Sequence, residues 1–207
     1  MAIQTFEYCS LQYLNQWLTY DRDYCETLST GDFEDKLETL KSAGGFYRVA
    51  RNLPRVFDEG KGYKRYEPVL EILDSVLKEQ FKENPTRKIK EIESKISAIY
   101  GKRSVLSLTT KFLWLKIKQP IVIYDSQARI ALDIENGDLD GFHIKWKEEF
   151  NNHKNQIAVA CSRLPELHLY AIDQNIGTKD YISKISSKSW FHERVFDNYL
   201  WSKGNDS

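Results

Sequence analysis

The chain has 207 residues, 30 Lys/Arg against 30 Asp/Glu, and 41% hydrophobic and 13% aromatic residues. That is enough for a real core in one domain, or in two small lobes sharing one, and its zero net charge does not advertise a nucleic-acid partner. It has no run of 18 or more apolar residues, which argues against a transmembrane helix, and the start MAIQTFEYCS lacks the basic and apolar regions of a signal peptide. Cys9, Cys25 and Cys161 are odd in number and form no CxxC, which excludes a disulfide framework and leads us to expect a cytoplasmic protein without a membrane partner.

In chain order, Leu11, Leu14, Leu18, Cys25 and Leu28 fit one helical stripe. Asp32-Phe33 opens a second helix, with Leu37 and Leu40 inward and Gly44-Gly45 at its end. Phe46 to Phe57 reads as a short helix interrupted by Pro54, and Asp58-Glu59-Gly60-Lys61-Gly62 as a linker. We read the chain as one domain, 1–207, with a lobe junction there and lobes of about 1–60 and 61–207. Pro68 starts an amphipathic helix with Val69, Leu73, Val76, Leu77 and Phe81 on one face. Asn84-Pro85 starts another, burying Ile89, Ile92, Ile96 and Ile99 and closed by Gly101.

The stretch 101–132, GKRSVLSLTTKFLWLKIKQPIVIYDSQARIAL, reads as a helix, a break at Gln119-Pro120, the extended run Ile121-Val122-Ile123-Tyr124, and a helix opening at Asp125 and closing at Asn136-Gly137. The following loop carries Asp133, Glu135, Asp138 and Asp140 but lacks the order of a calcium loop. Phe142, Trp146, Phe150, His153, Ile157, Ala160 and Leu164 predict one long buried helix ending at Pro165. After a less regular stretch, Ser189 caps a last helix with Phe191, Val195 and Tyr199 inward, stopped by Gly204. Eight or nine helices with hardly any strand predict an all-α protein.

Lys111 lies at helical spacing from Leu108, Phe112 and Leu115, so its stem faces an apolar surface that disfavours the ammonium form; Asp125 stands where a carboxylate caps a helix. An amine and a carboxylate so placed are a candidate nucleophile and electrostatic partner. Each has a plainer role, as a snorkelling side chain and as a cap. Residues 82–118 hold ten Lys/Arg against three Glu, whereas 21–41 hold seven acids against three bases. A basic segment coinciding with Lys111 suits a phosphate-tracking face as well as it suits a solvated helix face.

Val105-Leu106-Ser107-Leu108-Thr109-Thr110-Lys111 followed by Ile123-Tyr124-Asp125 resembles the helix-hairpin-helix DNA glycosylase superfamily, nearest its lysine-bearing 8-oxoguanine glycosylase branch. There the hairpin reads L-P-G-x-G-T-K, then an apolar helix and P-V-D. The lysine, the preceding threonine and the aspartate match over roughly 30 residues. Both hairpin glycines are replaced, by Ser107 and Thr109, the proline is Leu106, and the lysine-to-aspartate span is short.

The resemblance implies a two-lobed helical glycosylase-like fold with a degenerate hairpin. It also implies a Lys111 that attacks the sugar C1′ of a modified, for example oxidised, base to give a Schiff base, with AP-lyase strand cleavage to follow. Asp125 would stabilise the positive charge on the sugar. Duplex or single-stranded DNA is the expected partner, with Lys102, Arg103, Ser107, Thr109, Lys116, Lys118 and Arg129 toward the backbone. Trp114, Tyr124 and Trp201 would wall the base pocket, their plainer role being core. The altered hairpin suggests a divergent branch serving defence against modified foreign, including phage, DNA. The alternatives are a catalytically inactive DNA-binding module or defence component retaining the fold, and a helical interaction protein without a nucleic-acid role.

Other chemistries find little in the sequence. The histidines at 143, 153, 168 and 192 form no HxxxH, so neither a metal nor another cofactor is expected. GxSxG, P-loop and GxGxxG motifs are missing, and Cys161 in an apolar stripe reads as core.

Overall fold

Apolar residues at three- and four-residue steps become ten α-helices in the computed structural model, which describes residues 4–53 and 64–206; among the described residues there is no strand. The chain forms two compact units, Met1–Arg22 with Asp125–Ser207 (the terminal unit) and Asp23–Tyr124 (the central unit). They are divided elsewhere than at the linker 58–62, which lies outside the described residues together with positions 54–57 of the short helix expected over 46–57.

In the central unit, α2 (Arg22–Thr30) is followed by α3 (Phe33–Phe46), whose cap Asp32 accepts the Asp35 N–H. The helix α3 runs through Gly44-Gly45 instead of ending there. The glycine at 44 serves packing, since a Cβ on it would lie 2.7 Å from the Tyr66 hydroxyl. The single helix expected over 68–81 is broken. α4 (Glu67–Asp74) ends where the Ser75 hydroxyl donates to the Ile72 carbonyl, and Leu77, extended and 61% exposed, leads into a 3₁₀ turn, Lys78–Phe81. α5 (Pro85–Ile99) follows the sequence closely, with Asn84 capping, Ile89, Ile92 and Ile96 buried, and Gly101 at φ 76°; Ile99, however, is 40% exposed.

α6 (Leu106–Ile117) has nine of its 12 residues buried and packs against α5 and α4 as the centre of this unit. Its start corrects one expectation. The residues matched to a hairpin, Leu106 to Lys111, are its first turns. Without glycines at 107 and 109 nothing forces a turn there, and the corner falls earlier, at Gly101 and Lys102, both with positive φ. The run 121–124 is buried but joins no sheet; the Tyr124 N–H donates to the Thr110 hydroxyl at 3.1 Å.

In the terminal unit, α1 (Phe6–Gln16) passes into a π turn, Trp17–Asp21. α7 (Ser126–Ala131) ends well before Asn136-Gly137. The Arg129 guanidinium donates to the Ile134 carbonyl at 2.6 Å, and Asp133 at φ 54° turns the chain. α8 (Leu139–Ser162) is the long helix expected, its cap Asp138 accepting the Gly141 N–H. The irregular stretch after Pro165 contains α9 (Lys179–Ser186), capped by Thr178 and burying Ile182 and Ile185. α10 (Ser189–Asn205) is preceded by Lys188 as its N-cap and runs through Gly204, which does not stop it. α10 packs on α7, α1 and α8, and a Cβ at Gly204 would lie 2.0 Å from the Gln127 carbonyl oxygen, so the glycine permits that closeness. No helix among the described residues is long and apolar enough to cross a membrane.

Candidate functional site

Helix α6 carries the candidate amine. Lys111 is 6% exposed, one helical turn after Ser107, and its Nζ donates to the Ser107 hydroxyl at 3.0 Å. The same amine stands 6.0 Å from the centroid of the Tyr47 ring, within range of a cation–π contact. Two expected site residues, Lys111 and Ser107, are thus in direct contact. Thr110 holds the local backbone, donating to the Leu106 carbonyl and accepting the Tyr124 N–H. Thr109 is wholly buried, and its hydroxyl has no hydrogen-bond partner among the described residues, so it is not presented at the surface. Trp114 and Tyr124, 1% and 5% exposed, are core of the central unit.

The basic residues divide by use. Lys102 and Arg103 are exposed on the corner between α5 and α6, where the Lys102 N–H closes onto the Ser97 carbonyl. Lys116 is engaged with Asp74, which Lys36 also reaches at 3.3 Å. Burial pushes the Asp74 carboxyl up, but the Lys116 and Lys36 contacts outweigh it and hold the group below the ordinary carboxylate range. Lys118 is half-buried at φ 59° and its N–H donates to the Trp114 carbonyl, ending α6.

Asp125 is the N-cap of α7, extended at φ −119° and ψ 144°, its carboxylate accepting the Gln127 N–H at 2.9 Å. Within the same unit lies a feature the sequence reading missed. The Asp197 carboxylate is buried, with the Trp146 indole N–H donating to one oxygen and the Arg194 guanidinium to the other, each at 2.8 Å. Burial raises the Asp197 carboxyl, Arg194 and Trp146 oppose that, and the charge of Asp125 adds to it. The available signal was the Arg194/Asp197 pair at i,i+3, flanked by Phe191, Val195, Phe196 and Leu200. Arg129 spends its guanidinium on the turn after α7, and Trp201 on α10 is 49% exposed.

Among the described residues, no group of three or more His, Cys, Asp or Glu side chains is placed to hold a metal ion. Cys161 is fully buried, as read from its stripe, and burial pushes its thiol up to about 12, far from thiolate chemistry. Comparison of the chain with family models, curated proteins and solved structures finds no match.

Proposed function

We propose that this protein is a DNA glycosylase that removes a modified base, with Lys111 as nucleophile. The observation that carries the reading is a lysine amine buried on an almost wholly apolar helix and oriented by the Ser107 hydroxyl one turn before it. The amine attacks C1′ of the deoxyribose, the C1′–N bond breaks, and the base leaves with the bonding electrons. Opening of the sugar ring gives an imine between Lys111 and C1′, and loss of the 3′ phosphate by elimination then cuts the strand. The resemblance assigns Asp125, whose carboxylate accepts the Gln127 N–H at its helix start, to the positive charge that develops on the sugar. The corner at Gly101 to Arg103, with two exposed cations, is the proposed phosphate contact.

Borohydride trapping tests this. The protein is incubated with duplex and single-stranded oligonucleotides carrying oxidised bases, other modified bases or an abasic site, and an imine is reduced to a stable adduct. An adduct that disappears in Lys111→Gln supports the proposal. A second reading, a DNA-binding module without turnover, is favoured by the exposed Lys102 and Arg103 at the corner between α5 and α6. Salt-sensitive binding with no adduct on any substrate would select it.

A further inference from the structure

The terminal unit has a groove that none of this uses. It is an open groove of about 500 Å³ between the start of α1 and the later half of α8, lined by Phe6, Val159 and Tyr199 together with Glu7, Asn155 and Gln156. That volume lies in the range of small-molecule sites, and so does a mostly apolar wall with a few polar groups. Phe6 and Tyr199 lie 4.5 Å apart between ring centroids, and His153 backs both, at 5.4 and 5.6 Å. Val159 on α8 is 51% exposed at the groove. The Asn155 side-chain amide has no hydrogen bond among the described residues. Gln156 uses its side-chain oxygen on His153, which leaves its NH₂ directed to other partners.

From these residues we infer that the groove is a nucleobase-binding site, in which a base lies against Phe6 and Tyr199 and is read along its edge by Asn155 and Gln156. Aromatic walls take the face of any base. A carboxamide supplies one acceptor and two donors, the pattern that pairs with the donor–acceptor edge of adenine. Glu7, which faces Arg163 at 3.7 Å across the rim, adds an acceptor for an exocyclic amino group. The base can come from a free nucleoside or from an unpaired position in a strand, since both present the same face and edge. The inference stands apart from the glycosylase reading, because every residue of the groove belongs to the terminal unit and none is Lys111 or Asp125.

The test is a fluorescence titration of the full chain with 2-aminopurine deoxyriboside and with a short single strand carrying one 2-aminopurine. Saturable quenching is expected from at least one probe, and preference for the strand identifies an unpaired base as the source. Asn155→Leu, on an exposed helix position, should weaken binding by up to about tenfold, the worth of one hydrogen bond. Tyr199→Leu should weaken it by about tenfold or more through lost stacking, with a melting curve to show that the variant is folded. Val159→Glu, which changes an exposed wall residue, keeps the test decisive if Tyr199→Leu unfolds. Absence of saturable quenching with both probes would overturn the inference. So would unchanged affinity in both Asn155→Leu and Val159→Glu, or displacement by toluene, which lacks a hydrogen-bonding edge, as effective as by deoxyadenosine.

Discussion

Each unit buries an ionisable side chain, and the two are treated differently. In the terminal unit Asp197 is enclosed with a guanidinium on one oxygen and an indole N–H on the other, both at 2.8 Å. In the central unit Lys111 is enclosed on an apolar helix, with a hydroxyl 3.0 Å from its amine and an aromatic ring nearby. The first arrangement matches charge with charge and fixes a helix pair. The second sets a hydroxyl and an aromatic face beside an amine on an apolar helix, a setting that orients the group. A buried ionisable group is therefore a poor pointer to function until its surroundings are named.

Substitutions sharpen that contrast, beginning with the largest effect. Lys111→Gln should lower the trapped adduct to background, whereas removal of a charge at Asp197 should act on folding. Asp125→Asn should slow trapping by about 10²–10³-fold, the usual loss for one electrostatic contact to a transition state. Its melting temperature should hardly change, because Asn caps as well as Asp. A fall in stability without a fall in rate would make Asp125 a cap alone. Arg194→Met, which strands the Asp197 carboxylate, should cost about 3–5 kcal/mol in a denaturant titration. Restoration of part of that loss by Asp197→Leu in the same chain would identify the pair as structural.

A smaller effect is set by pH. His143 on α8 is buried, and burial together with Lys147 pushes its imidazole down from 6.5 to about 4 against the opposing charge of Asp140. The unfolded chain therefore binds this proton more readily than the folded one. The contribution is fully present above about pH 6.5 and is lost as pH falls toward about 4, at most about 3 kcal/mol. His143→Phe should flatten that part of the stability profile in parallel melts, and an unchanged slope would remove His143 from the account. Smaller still, Gly204→Ala should destabilise by about 1–3 kcal/mol because its Cβ would strike the Gln127 carbonyl.

Much of the fold was written in local pattern, because caps and stripes are local. Asp32, Asn84-Pro85 and Asp125 each stand at the helix start expected of them, and Gly101 closes α5 with positive φ. What escaped the sequence was tertiary. Glycines 44 and 204 look like helix ends but exist for contacts with Tyr66 and Gln127. α9 was hidden in a segment too short for a periodic signal, and α4 stopped where a serine took a carbonyl. In the candidate site, Lys111 was legible from its spacing to Leu108, Phe112 and Leu115. The Trp146–Asp197 contact joins residues 51 positions apart and could not be read from either segment alone. Residues 106–111 are helical turns and form no hairpin, because Ser107 and Thr109 stand where glycines would turn the chain.

The most direct measurement is the covalent address of the trapped species. Wild-type protein is reduced with borohydride on an abasic or modified-base oligonucleotide, digested, and the adduct located by tandem mass spectrometry. The account predicts a deoxyribose remnant on the amine of Lys111. An adduct on the N-terminal amine or on a surface lysine such as Lys102, with Lys111 unmodified, would contradict it.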